Sequence, residues 1–371
     1  MTKKKPRKLI RFATSTVLML ALAAGFQMAQ ADARTLNFAT PRPPTERPTN
    51  DVLRWWVDEV NARTGGTIEI KVHWLQSLVA FRDAARGIQS GVADIGDVTP
   101  EYTAARNPLW AITQTETGSG DNYIATEAWR RATNGFTPLE EESAQIGLRP
   151  IGYYSSGVRV NISTTRPYLT PDDFKGDKVR MTPRAISART NSKWNVTPVN
   201  ITFTDIYSAL ERGTIDGAQS YLYVIAPYKH NEVAKHVVNT TIGQSLIPVM
   251  MNARVWESLT DKEREVFLEL EPLFSEKMTK AGLEEAEQSI QLLQNHPRYP
   301  VEYYTLNEAQ RAAWEQDMAP AIEEYINDIA KRNPAAHELH ERLMTHIAEV
   351  EREVQEHGYP WQRKQSLEAS E

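Results

Sequence analysis

The chain has 371 residues, a formal net charge of −6, 41% hydrophobic residues and no cysteine. The missing cysteine excludes a disulfide framework, a thiolate nucleophile and a lipoprotein anchor. The acidic balance argues against nucleic acid or an anionic membrane surface as a partner.

The first predicted element is an address rather than part of a fold. Lys3, Lys4, Lys5, Arg7, Lys8 and Arg11 form a basic stretch, and Thr16 to Phe26 is an apolar run too short to span a bilayer as a stable helix. Ala31-Asp32-Ala33 supplies the small-x-small pattern of a signal-peptide cut. Cleavage is expected after Ala33, with export by the Sec route to the periplasm, since Arg7-Lys8 is not a twin arginine. Residues 1–33 hold six basic residues and one acidic residue, so the chain from Arg34 onward carries a formal charge of −11. An anion site in such a chain has to be a local positive island. What remains is longer than one hydrophobic core usually serves, which predicts two domains.

After the leader, strand and helix alternate. Leu36 to Ala39 reads as a strand, followed by a proline-rich loop through Pro41, Pro43, Pro44 and Pro48. A helix over 50–63 stops at Gly65-Gly66. Ile68, Ile70, Val72 and Trp74 alternate at period two, a strand with one buried face. A helix over 81–90 ends at Gly91, and 93–96 forms a third strand. This β-α-β-α-β order predicts parallel pairing with right-handed crossovers. Strands are expected near 148–153, 157–163, 178–182, 197–201, 215–220 and 248–251, with helices at 184–194 and 204–212. The last third is helical. Thr260 and Glu263 form a capping box at the head of a helix reaching Gln294, with Val266, Phe267, Leu270, Leu273, Phe274 and Met278 on its apolar side. Helices follow at 307–330 and 335–356. In the latter, Leu339, Leu343, Ile347, Val350 and Val354 make one stripe, buried either on the chain's own body or in a homodimer.

Catalytic and cofactor signatures are absent. There is no G-x-S-x-G elbow, phosphate loop or dinucleotide fingerprint. His337, His340 and His346 have helical spacing that could ligate a metal, yet Glu338, Glu341 and Arg342 mark a solvated face. Asp172-Asp173 after Thr170-Pro171 reads as a turn and cap. Neither a metal nor a cofactor is expected, and the chain is not read as an enzyme. A periplasmic enzyme acting on small acids is the rival from another class.

The informative stretch runs from Gly157 to Tyr221. It contains DDFKGDKVR at 172–180 and TPVNITFTDIYSALERGTIDGAQS at 197–220, and the first domain offers TGGTIEIKVHW and SGVADIG. In order and spacing these segments resemble the DctP-type solute-binding subunits of tripartite ATP-independent periplasmic (TRAP) transporters. The resemblance covers nearly all of the chain after the leader. It implies an α/β periplasmic-binding-protein (Venus-flytrap) fold with a long bracing helix and a C-terminal helical extension. It also implies a ligand cleft between domain I (34–157 with 246–285) and domain II (158–245 with 286–371). The membrane subunits of such a transporter are the implied partner, with an ABC-type partner as the alternative among binding proteins.

By the same resemblance, Arg180 grips the ligand carboxylate and Arg159 assists. A guanidinium suits this role because its planar fork pairs with both carboxylate oxygens. Phe203 matches an aromatic that lines the family's pocket. Ser220 stands where the family usually has asparagine, and Tyr221 where it has proline. Glu101 and Tyr102 lie in the loop after the third strand, and Pro41-Arg42 in the loop after the first. The departure at Ser220 and Tyr221 predicts a small organic acid other than a plain four-carbon dicarboxylate, with one carboxylate.

Overall fold

A computed structural model describes residues 33–115, 118–181, 191–201, 205–240 and 243–363. The first part follows the expected order: β1 (Arg34–Ala39), α1 (Pro48–Arg63), β2 (Ile68–His73), α2 (Ala84–Ser90) and β3 (Ile95–Asp97). Pro48 opens α1, where a missing N–H breaks no intrahelical bond. Gly91 ends α2 in the left-handed conformation at φ 83°. β1 pairs in parallel with both β2 and β3.

The chain continues through α3 (Asn122–Thr133), β4 (Leu148–Ser155), β5 (Arg159–Ser163), β6 (Lys178–Arg180), β7 (Thr197–Val199), α4 (Ile206–Glu211), β8 (Gly217–Tyr221), β9 (His236–Asn239) and β10 (Leu246–Asn252). It closes with α5 (Asp261–Gln294), β11 (Glu302–Thr305), α6 (Glu308–Ala330) and α7 (Ala336–His357). Two sheets result. One has the order β2-β1-β3-β10-β4, with β10 antiparallel to both neighbours. The other has the order β11-β9-β5-β8-β6-β7, with β5 antiparallel to β8 and β9. Two strands escape the sequence reading: β9 and β11, four residues each, pair with one another in parallel. Helix α3 and the short helix Thr137–Gln145 also go unpredicted. Of the helix expected over 184–194, only the helical turn Asn191–Trp194 lies within the described residues.

Helix α5 starts at the predicted capping box, with Thr260 and Glu263 exchanging backbone bonds, and runs on through Pro272. It packs on α1 and β4, and further along it meets the 222–224 turn and β11, so it touches both sheets. Trp56 of α1 sits among Phe38, Phe267 and Phe274, with ring centroids 5.6–6.1 Å apart. Leu273, expected on the apolar side, is instead exposed. The turn Pro171–Phe174 is capped by Thr170 and Asp173, as read from sequence. Beside it, Phe174, Trp194 and Trp314 meet at centroid distances of 5.2–5.5 Å and tie α6 to the second sheet.

The C-terminal stripe is covered within the chain. Helix α7 lies along α3, and Leu339, Leu343, Ile347 and Val350 are buried in one core with Ala128, Trp129 and Ala132. Arg131 forks onto Glu353 at 2.6 and 2.8 Å. Beyond the helix, Tyr359 and Trp361 stack at 4.8 Å, both edge-on to Tyr123, and the Tyr359 hydroxyl donates to Asp121 at 2.6 Å. Of the two covers expected for the stripe, the structure shows the chain's own body. Among the described residues no helix is long and apolar enough to cross a membrane, and no three acidic or histidine side chains cluster as a metal site.

Candidate functional site

The site forms where strands of both sheets end and the chain passes from one to the other. β4 ends at Ser155, and Ser156-Gly157 leads into β5. Gly157 has φ 88°, and an added Cβ would lie 3.3 Å from the Tyr223 ring, so position 157 favours glycine twice over. In the second sheet β6 runs parallel to β8, and β5 antiparallel to it with Arg159 opposite Tyr221. Arg180, Tyr221 and Arg159 therefore come to one edge because three strands stop or start there.

Two adjoining cavities occupy this edge. The larger, about 160 Å³, reaches from the loops after β1 and β3 to β8 and the turn behind it. The smaller, about 50 Å³, is lined by Arg159, Asn161, Gln219, Thr240 and Trp314. Glu101, Arg180, Ser220 and Tyr221 line both. Arg180, Arg159, Ser220, Tyr221, Glu101, Tyr102, Pro41 and Arg42, all named from sequence, thus meet here. Phe203, the remaining one, lies outside the described residues.

Arg180 is 9% exposed. Its Nε donates to the Ile201 carbonyl at 3.1 Å and its Nη1 to the Gln219 carbonyl at 2.9 Å. These bonds orient the fork without neutralising it. Burial lowers its pKa, partly offset by Tyr221, Glu101 and Tyr102, and Arg159 pushes in the same direction as burial. A group so placed gains from an incoming anion. Arg159 donates from Nη2 to the Ser245 hydroxyl. The Ser220 hydroxyl is buried and accepts or donates no bond among the described residues. Burial, with Arg180 adding to it, holds the His230 pKa down to about 4, so this histidine adds no charge near neutrality.

Two further arginines stand in the larger cavity. Arg42 lies 4.4 Å over the Tyr154 ring, with its Nε 4.0 Å from Asp97, which also accepts the Thr40 hydroxyl at 2.7 Å. Burial alone would lower the Arg42 pKa, but Tyr154 and Asp97 outweigh it and the net shift is upward. Arg47 lies 4.7 Å over the Tyr223 ring and pairs with Glu285 of α5, whose other oxygen accepts the Thr49 hydroxyl at 2.7 Å. Burial pushes the Tyr223 phenol up to about 12. Sequence reasoning reached Arg42 as a loop residue but missed Arg47, Asp97, Tyr154, Tyr223 and Glu285. For Tyr154 a signal existed, since ligands in open α/β sheets bind beyond the carboxyl ends of strands. For Glu285, in the middle of a long helix, there was none.

Two sheets sharing a brace helix, with a cationic cleft where their strands end, define a two-lobed solute-binding protein. The model for the bacterial extracellular solute-binding proteins of family 7 (DctP) matches residues 38–328, and the chain belongs to that family. It is 24% identical over 311 residues to the uncharacterized protein YiiZ of Salmonella typhimurium, covering 81% of this chain and 88% of that one. It is 26% identical over 193 residues to the C4-dicarboxylate-binding periplasmic protein DctP of Rhodobacter capsulatus, covering 51% and 56%. Among solved structures, a TRAP periplasmic solute-binding protein from Desulfovibrio salexigens superposes with a TM-score of 0.74 at 21% identity, over 88% of this chain and 98% of that one. A Chromohalobacter salexigens relative with bound D-glucuronate gives 0.71 at 20% identity, over 84% and 99%. These likenesses establish the fold and its C-terminal helices.

Proposed function

We propose that this protein captures a small organic acid through an ion pair between Arg180 and the ligand carboxylate, then delivers it to the membrane subunits of a TRAP transporter. The observation that carries the reading is the Arg180 guanidinium: buried, aimed by two backbone carbonyls, and standing between two cavities. Arg159 adds positive potential in the smaller cavity, while Glu101, Ser220 and Tyr221 shape the passage between the two. The named relatives include proteins for C4-dicarboxylates and for 2,3-diketo-L-gulonate, and solved neighbours hold galacturonate, glucuronate or pyroglutamate. All of these carry a carboxylate.

The lobes of this reading are 34–157 with 246–285, and 158–245 with 286 onward, with α7 strapped back onto the first lobe through α3. A ligand favours closure of the lobes only by its greater affinity for the closed state. Export runs through the Sec route, with the leader removed after Ala33. The test is calorimetry on the exported chain with a panel of organic acids, repeated with Arg180→Ala. Binding should be lost, and undiminished affinity in the variant would refute the assignment.

A further inference from the structure

The cleft also describes the body of the ligand, an inference that rests on the carboxylate reading at Arg180. The described charges around the two cavities are Arg42, Arg47, Arg159 and Arg180 against Asp97, Glu101 and Glu285. Arg42 is occupied by Asp97 and Arg47 by Glu285. Among the described residues, four cations against three anions leave a surplus of one, a balance that suits a single carboxylate. A second ligand charge would be desolvated without its own partner.

The two compartments differ in kind. The smaller is polar and, at about 50 Å³, of a size for a carboxylate or a water. The larger has a volume of about 160 Å³. An apolar cavity of about 150 Å³ accepts one benzene molecule. Beside its charged groups its walls carry rings: Tyr221 and Tyr223 stack at 5.9 Å and 28°, and Phe81 meets Tyr102 edge-on at 6.1 Å. The aliphatic hydroxyls beside it are engaged or turned away. Ser155 is held by Asn122 and Gln244, Thr49 by Glu285, and the hydroxyls of Thr99 and Ser156 are fully buried. A sugar acid would find those four aliphatic hydroxyls closed to its own hydroxyl groups. A ring would bury its faces and edges against other rings, the arrangement that aromatic quadrupoles favour.

We infer that the cognate ligands are aryl monocarboxylates, with the carboxylate on Arg180 and the ring in the larger compartment against Tyr221 and Tyr223. The test is calorimetry on the exported chain with benzoate, phenylacetate and 4-hydroxybenzoate beside succinate and D-glucuronate, in wild type, Arg180→Ala and Tyr221→Ala. At least one aryl acid should bind tenfold or more tighter than succinate and glucuronate, and Tyr221→Ala should weaken it at least tenfold. If succinate or glucuronate binds as well or better, and Arg180→Ala abolishes that binding, the aryl inference is overturned while the carboxylate reading stands. If no acid binds, or binding survives Arg180→Ala, both fail.

Discussion

Changing Leu343 and Ile347 together to aspartate tests what the C-terminal helix is for. Both side chains are buried against α3, at 7% and 6% exposure. Burying each is worth about 1.5–3 kcal/mol, so losing both removes roughly 3–6 kcal/mol. The new carboxylates would have no buried cation, and leaving one unpaired costs several kcal/mol more. The helix would escape that cost by peeling off α3, which breaks the Arg131–Glu353 fork and the bond from Arg342 to the Asn134 carbonyl at 3.0 Å. In a chain of this size each kcal/mol moves Tm by about 1.5 °C. The expected drop is therefore about 10 °C or more, followed by circular dichroism at 222 nm, with no change of mass by light scattering. A melting curve within about 2 °C of wild type, accompanied by a halved mass, would show instead that the stripe is a subunit interface.

Three other outcomes follow from the site and core. Arg180→Lys should lose most affinity, because an ammonium cannot replace a fork held by two carbonyls; calorimetry within threefold of wild type would contradict this. Arg47→Met should lower stability by about 3–5 kcal/mol, since it leaves Glu285 buried and unpaired; adding Glu285→Gln should recover much of the loss, and additive losses in denaturant melts would count against the pairing. Glu142 is buried, and burial pushes its pKa up to about 7 despite bonds from the Leu109 N–H at 2.8 and 3.0 Å and from Asn333 at 3.1 Å. The folded state thus holds this proton more tightly than the unfolded state. Its contribution is full below the ordinary glutamate range near pH 4.5 and lost as pH rises through 7. Relative to Glu142→Gln, wild type should lose up to about 3 kcal/mol between pH 4.5 and 8; parallel stability profiles would rule this out.

Local chemistry made much of the chain legible from sequence alone. Helix caps and periodicity are short-range properties, so α1, α5, α6 and α7 could be read within a residue or two, as could the parallel start of the first sheet. Arg180 was legible because it sits in a motif whose residues adjoin it in the chain. Only tertiary structure could decide the rest. β9 and β11 lie outside the motifs and turn signals that marked the other strands, and each is a strand chiefly because of its neighbours in the sheet. The stripe on α7 is the same in sequence whether α3 or another molecule covers it. The net charge of the cleft depends on Asp97 and Glu285, which reach Arg42 and Arg47 from distant parts of the chain. An arginine's side chain is identical paired or unpaired, so only the folded arrangement shows that Arg42 and Arg47 each have a carboxylate partner.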